Sequence, residues 1–295
     1  MSNLYDLFGQ EETEPKPRNN QKWQAEQKTN REYCYAQIEK SLETVGKSPE
    51  LFQGYLNVQA NFEYYTARNA LLIQAQRETA TKIADNTAWK EQGIFVKQSE
   101  FRNPILILEP GNPYTRDDGT TGQSFNAKKM YDITQTTCRV RSQNTGKLDD
   151  RMLIKSLISK APVKILTAEA VNHPLAVDFD MDKECVVVEK GLEPDAMYQG
   201  ISTALTKAEL ALNGCDAKTL DFKAQAAAYM LCRQAGVSTA CFDFSKLPDF
   251  LTSAEPQQVG AELTTIKDAM AEVSMRVKYN LQQMVQLKSR ADPAR

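Results

Sequence analysis

The chain has 295 residues, of which 41% are hydrophobic, and carries a formal net charge of −2. This length and composition exclude fibrous and wholly disordered proteins, and they allow one large core or two modest ones. No run of about 18 apolar residues and no charged-then-apolar leader occurs, so we expect no membrane span, no secretory signal and a cytoplasmic protein.

The first 20 residues are polar, acidic and proline-bearing, and we expect a disordered tail because such a composition buries too little surface to stay ordered. One apolar segment interrupts the tail, with Leu4, Asp6, Leu7 and Phe8 in a Leu-x-Asp-Leu-Phe arrangement. This segment is similar to the peptides that bind bacterial sliding clamps. The alternative is an incidental tail segment or a local packing contact.

Residues 21–147 are predicted to form a small α+β domain. The predicted elements are helices over residues 21–45, 50–58 and 67–77 and strands over residues 105–108 and 124–133. The first strand is a short apolar run between Pro104 and Pro110, which is typical of a buried strand. Asp117, Asp118 and Gly119 favour a turn between the two strands.

Residues 148–295 are predicted to form a mainly helical domain with a short sheet, so the fold class of the whole chain is α+β. The predicted elements are helices over residues 148–159, 194–212, 222–235 and 255–287 and strands over residues 163–166 and 185–188. An acidic stretch, residues 178–182, indicates a turn between these strands. Gly214 and Gly236 mark the ends of two of the helices.

Six cysteines are scattered through apolar stretches without a C-x-x-C spacing. In a chain of this size, the pattern predicts free, mostly buried thiols in a reducing compartment rather than disulfides or a zinc knuckle.

Several short motifs follow one another in the order seen in one protein family. They are residues 65–76 (YTARNALLIQAQ), Trp89, residues 93–97 (GIFVK), residues 105–110 (ILILEP) and residues 125–136 (FNAKKMYDITQT). In this order they resemble the N-terminal domain of ArdC-like antirestriction proteins of conjugative plasmids and transposons. The resemblance extends over about residues 55–287. It implies a small α+β domain that binds single-stranded DNA, followed by a zincin-like metallopeptidase domain.

In zincin-like peptidases, a helix presents His-Glu-x-x-His, in which two histidines on one face bind Zn²⁺ and the glutamate deprotonates the metal-bound water. Aligning the Ala-Glu-Leu that follows this motif places Thr203 and Lys207 at the histidine positions and Ala204 at the glutamate position. Asp221 corresponds to the third ligand, near the start of the next predicted helix. The resemblance therefore implies a degenerate site with no metal or other cofactor, in a protein that is not an enzyme.

A metal site built from other ligands is the remaining enzymatic alternative. Cys215, Cys232 and Asp221 are a conceivable ligand set, whereas the single histidine, His173, falls in a predicted exposed loop. A cation at Lys207 would repel Zn²⁺. No Walker-type glycine loop, G-x-G-x-x-G or G-x-S-x-G motif is present.

Single-stranded DNA is bound by aromatic rings that stack on bases and by Lys and Arg side chains that contact phosphates. Residues 64–147 are the one mildly basic block, with 12 Lys and Arg against 8 Asp and Glu. The candidate DNA-binding residues in this block are Tyr65, Arg68, Asn69, Trp89, Lys97, Arg102, Lys128 and Lys129. The weak net charge predicts a modest, salt-sensitive affinity.

Two functional hypotheses follow. The first is a non-catalytic protein of a mobile element that binds single-stranded DNA and inhibits host restriction. The second is a scaffold, in which the inactive peptidase groove binds a protein of the host or of the element and the long C-terminal helix mediates assembly.

Overall fold

The computed structural model describes residues 20–138 and 149–291. Its helices are α1 (Asn20–Val45), α2 (Pro49–Asn61), α3 (Ala67–Arg77), α4 (Asn86–Glu91), α5 (Asp150–Ile158), α6 (Pro194–Leu212), α7 (Ala217–Ala235), α8 (Asp249–Thr252) and α9 (Pro256–Ala291). Its strands are β1 (Ile83–Ala84), β2 (Ile105–Thr115), β3 (Thr121–Asp132), β4 (Lys164–Ala168), β5 (Val177–Asp180) and β6 (Cys185–Glu189). The predicted α+β class is confirmed.

The predicted N-terminal tail, with Leu4, Asp6, Leu7 and Phe8, lies outside the described residues. Only Asn20, which the prediction assigned to the tail, is described, as the first residue of α1. Among the described residues, no helix combines the length and the apolar character that crossing a lipid bilayer requires.

Local sequence signals fix the ends of the first helices. Pro49 stands at the first position of α2, where its missing N–H costs nothing, and the Ser48 hydroxyl accepts a hydrogen bond from the Leu51 amide at 3.2 Å. The Thr66 hydroxyl caps α3 in the same way, accepting from the Asn69 amide at 3.2 Å. Capping satisfies amides that have no partner inside the helix.

The N-terminal sheet is antiparallel, in the order β1-β3-β2. The apolar start of β2 is buried, as predicted. Strand β3 begins at Thr121, three residues before the predicted start, and ends at Asp132, one residue before the predicted end. Gly119 adopts a φ of +82° in the connecting turn, a conformation that side chains other than glycine disfavour.

The second sheet has the order β4-β6-β5, with β4 parallel and β5 antiparallel to β6. The prediction of a turn over residues 178–182 is therefore wrong in part, because Val177–Asp180 forms strand β5. Its alternation of buried Val177 and Phe179 with more exposed Asp178 and Asp180 is the period of two expected of a strand. The acidic composition of the stretch obscured this period.

The boundary predicted at residue 147 falls between the two described parts. On either side of it, most of the buried apolar side chains belong to one continuous core that extends from Cys34 to Val277, whereas Trp89, Val96 and Tyr131 form a separate small cluster. Helix α9 packs against α1 and α3 as well as against α5, α6 and α7. The two predicted domains thus share a core instead of each enclosing its own.

Candidate nucleic-acid interface and the Lys207 cluster

A hollow of about 590 Å³ lies between α1, the start of α3 and the β2–β3 hairpin. Its aromatic and cationic lining residues are Tyr35, Tyr64, Tyr65, Arg68 and Phe125, and we call it the tyrosine groove. Tyr64 is 88% exposed and Phe125 is 37% exposed, so ring faces are open to solvent here. Exposed rings in a concave site are the feature that base stacking requires.

A second hollow of about 550 Å³ is also lined by α1 and β2. Its aromatic and cationic residues are Tyr33, Phe101, Arg102 and Lys129, and we call it the Arg102 groove. Tyr33 and Phe101 are both exposed. Both grooves are lined by residues of α1 and β2, and we refer to the two together as the aromatic and basic region of the N-terminal half.

The cations of this region differ in what they contact. Among the described residues, Arg68 and Arg102 make no ion pair. In contrast, the Lys128 ammonium lies 2.8 Å from Glu109 and 3.1 Å from Asp85, and Lys129 pairs with Glu26. Asp85 and Glu109 raise the pKa of Lys128, which burial alone would lower. The two arginines are therefore the cations that remain open to a phosphate.

Lys97 is exposed, but it does not line either groove. Its ammonium donates a hydrogen bond to the Thr134 carbonyl oxygen at 2.9 Å.

Asn69, one of the DNA-binding candidates, is a buried residue that stabilises the fold. Its side-chain amide donates to the Leu108 carbonyl oxygen and its side-chain oxygen accepts from the Leu108 amide, both at 2.9 Å. The residue is buried, and this pair of bonds joins α3 to β2. Buried amide groups are normally paired, and here the partner is the backbone of the neighbouring strand.

Trp89 is also structural. Its ring is fully buried in a small cluster with Val96 and Tyr131, and its indole N–H donates to the Tyr131 carbonyl oxygen at 2.8 Å. No face of the ring is open to a base. Of the aromatic candidates, only Tyr65 lines a groove, and its neighbour Tyr64 is the more exposed.

Tyr33 and Tyr35 were not predicted as candidates. On α1 they flank buried Cys34, one on either side of it, and both are exposed. A pair of exposed aromatic residues on an otherwise polar helix was the available signal. This signal is ambiguous, because nothing in the sequence indicates that α1 lies alongside β2.

The predicted degenerate metal site brings Lys207 and Asp221 together. The Lys207 ammonium lies 2.8 Å from an Asp221 carboxylate oxygen and 3.3 Å from one of Asp178. Burial acts to lower the pKa of Lys207, but Asp221 and Asp178 raise it above its ordinary value. The Lys207 ammonium thus lies between the carboxylates of Asp178 and Asp221, and we call these three residues the Lys207 cluster.

Close packing of α6 against β5 brings the residues of this cluster together. A Cβ atom added at Gly200 would lie 2.5 Å from a Val177 methyl carbon, so glycine permits β5 to approach the helix. Because Asp178 follows Val177 in β5 and Lys207 lies two turns beyond Gly200, this approach positions the carboxylate beside the ammonium. Asp221 comes from α7, which begins at Ala217, five residues earlier than predicted.

The other two degenerate positions are buried within α6. The Thr203 hydroxyl donates to the Gln199 carbonyl oxygen of its own helix at 2.8 Å, and Ala204 presents only a methyl group. Neither residue supplies a metal ligand or a general base.

The alternative ligand set is not assembled. Cys232 is buried beside Ser202, and burial raises the pKa of its thiol to about 12, so it is a neutral thiol at physiological pH. Among the described residues, no three His, Cys, Asp or Glu side chains are grouped as a metal site would need. His173 is half-buried, not exposed as predicted, and its Nδ1 accepts from the Leu175 amide at 3.2 Å.

The cysteines are free, as predicted, but only half of them are buried. Cys34, Cys185 and Cys232 are buried, Cys138 and Cys215 are half-buried, and Cys241 is exposed.

The fold and these sites define an α+β protein with an aromatic groove in its N-terminal half and a lysine-centred cluster between two C-terminal helices. Solved structures that are similar to it include two of the antirestriction protein ArdC from plasmid R388. The metal-free form aligns with a TM-score of 0.49 and 14% identity over 74% of this chain and 86% of that one. The Mn(II)-bound form aligns with a TM-score of 0.48 and 12% identity over 74% and 85%. No protein-family model and no curated protein matches the chain.

Proposed function

We propose that this chain is a non-catalytic protein of a mobile genetic element that binds single-stranded DNA and acts in antirestriction. The tyrosine groove is the observation that supports DNA binding. It presents the exposed rings of Tyr64 and Phe125 beside Arg68, whose guanidinium makes no ion pair among the described residues. The antirestriction role comes from the sequence resemblance to ArdC-like proteins.

The composition of the groove favours a single strand over a duplex. Bases in a duplex are stacked on one another, and their faces are closed to a protein ring. A single strand offers those faces, and its phosphates follow at distances that arginine side chains can span. One arginine in each groove, with Glu109 also present in the lining of the tyrosine groove, is consistent with a modest affinity.

The Lys207 cluster supports the proposal that the protein is not catalytic. Metal-dependent hydrolysis needs an open coordination position and a base that deprotonates water. Here the ammonium of Lys207 forms ion pairs with both carboxylates, and Ala204 has no proton-accepting group.

Fluorescence anisotropy with a labelled oligonucleotide at two salt concentrations tests DNA binding. We expect salt-dependent binding, and in the Arg68→Ala/Arg102→Ala double variant we expect the slope of log K against log salt to become shallower by about 1.4, since each phosphate contact contributes about 0.7. Lys97→Ala is the matched control because this cation is exposed but outside both grooves. If the Lys97 variant loses affinity while the double variant does not, the grooves are not the binding site.

Metal analysis tests the non-catalytic assignment. We expect no stoichiometric zinc in the wild-type protein. The Thr203→His/Lys207→His variant places two imidazoles on one face of α6, opposite Asp221, and should bind about one zinc per chain. Zinc in the wild-type protein would contradict the proposal, and failure of the variant to bind zinc would contradict the alignment of the site.

The scaffold hypothesis is favoured by a different observation. The outer part of α9 exposes Met275, Val285 and Leu287, each more than half accessible. A protein partner would cover such a surface. If the oligonucleotide shows no salt-dependent binding, this second function takes precedence.

A further inference from the structure

Cys215 and Lys223 form a nucleophile–amine pair outside both the grooves and the Lys207 cluster. Cys215 is half-buried in the connection between α6 and α7, and Lys223 lies in the second turn of α7. The Cys215 sulfur and the Lys223 nitrogen are 3.2 Å apart. Lys223 is only 4% exposed, which is unusual for a lysine and indicates that its ammonium is held in a fixed place.

Three groups surround the Lys223 ammonium and explain why it does not leave the pair. It forms an ion pair with Glu262 of α9, donates toward the Cys215 sulfur, and lies over the Phe250 ring at 5.4 Å from its centre. An ammonium has three hydrogens, and these three neighbours account for them. The sulfur and the nitrogen thus remain within contact distance, an arrangement that strongly favours reaction between them over reaction with a second molecule.

We propose that Cys215 and Lys223 are a modification site at which a peroxide-class oxidant produces a covalent sulfur–nitrogen bond. In the first step, the Cys215 thiol is oxidised to a sulfenic acid while hydrogen peroxide is reduced to water. In the second step, the Lys223 nitrogen attacks that sulfur. The Glu262 carboxylate takes one proton from the ammonium and a sulfur–nitrogen bond forms. The sulfur–oxygen bond breaks, and the hydroxyl leaves as water with a second proton from the nitrogen.

The position of the pair gives the bond a structural consequence. Lys223 loses its positive charge and Glu262 becomes protonated, so the ion pair between α7 and α9 disappears. At the same time, the loop before α7 becomes attached to that helix. The site would therefore couple oxidation to the contact between the two helices, independently of DNA binding.

Peptide mapping of the full-length protein tests the proposal without any variant that could fail to fold. Trypsin cleaves after lysine and arginine, so Cys215 lies in the peptide of residues 208–218 and Lys223 ends the next peptide, residues 219–223. After peroxide treatment and digestion without reductant, we expect residues 208–218 joined to residues 219–233. This product should be uncleaved after Lys223 and about two daltons lighter than the sum of its parts.

The uncleaved Lys223 separates this product from a disulfide. A Cys215–Cys232 disulfide would leave trypsin free to cut after Lys223, and that result would overturn the proposal, as would oxidation of Cys215 to sulfinic acid with normal cleavage. A thiol reductant should reverse the bond and restore cleavage. Cys215→Ser, which keeps the size of the side chain, should abolish the joined peptide, and Cys241, the exposed cysteine, provides the internal comparison for oxidation without a link.

Discussion

The tyrosine groove and the Lys207 cluster use charge in opposite ways. In the groove, Arg68 makes no ion pair among the described residues, and the rings beside it face solvent. In the cluster, Lys207 is enclosed by two carboxylates and its side chain is only 17% exposed. A binding surface is recognised by groups that the fold leaves without partners, whereas the charged groups of the cluster are paired with one another.

The largest expected effect separates a buried ring from an exposed one. Trp89→Ala removes a fully buried side chain and the bond to the Tyr131 carbonyl, so it should lower the free energy of unfolding by about 3–5 kcal/mol. Tyr64→Ala, in the groove, should change it by less than about 0.5 kcal/mol. Urea denaturation measures both free energies of unfolding. Comparable losses in the two variants would contradict the assignment of Trp89 to the core and of Tyr64 to the surface.

The next effect concerns neighbouring residues of α3. Asn69→Ala leaves the amide and carbonyl of buried Leu108 without their side-chain partner and should cost about 2–3 kcal/mol of stability. Arg68→Ala, its exposed neighbour, is the control and should leave the urea midpoint unchanged while weakening DNA binding. If the Asn69 variant has the stability of the wild type but a reduced DNA affinity, Asn69 contacts DNA and is not a structural residue.

The third effect is on binding alone. Phe125→Ala and Tyr64→Ala should each weaken oligonucleotide binding about tenfold, because loss of one base stack costs about 1–3 kcal/mol. Tyr279→Ala is the matched control, since Tyr279 is a similarly exposed aromatic residue on α9 and outside both grooves. Equal losses in all three variants, measured by anisotropy, would show that the rings act nonspecifically.

Much of the fold could be predicted from the sequence because its signals are local. The apolar period predicted α3 with its observed limits, Ala67 and Arg77, and the run from Ile105 to Leu108 predicted a buried strand. Strand β5 was missed because its aspartates occupy the exposed positions of a strand and also favour turns. The limits of α7 were misjudged because its first turn is polar.

The candidate site was harder to predict because it depends on contacts between distant segments. Asn69 and Trp89 are polar or aromatic residues whose partners lie 39 and 42 positions away, and their sequence neighbours do not reveal them. In contrast, the motif alignment assigned Lys207 and Asp221 to one degenerate site on two consecutive helices, and the ammonium of Lys207 lies 2.8 Å from the Asp221 carboxylate.

The smallest effect tests the cluster itself. Lys207→Met keeps the length of the side chain but removes its charge, and we expect a loss of about 1 kcal/mol, since both carboxylates are partly exposed and solvent weakens the pairs. The folded chain raises the pKa of Lys207, so this contribution is complete below the unfolded lysine value of about 10.4 and declines as the pH rises through the folded value. The difference in unfolding free energy between wild type and variant should therefore be constant from neutral pH to about pH 10 and shrink above it. Lys183→Met, which breaks the exposed pair with Asp180, is the control and should show almost no difference at any pH. A Lys207 variant as stable as wild type at neutral pH would mean that the ammonium fills the space between the helices without holding them together.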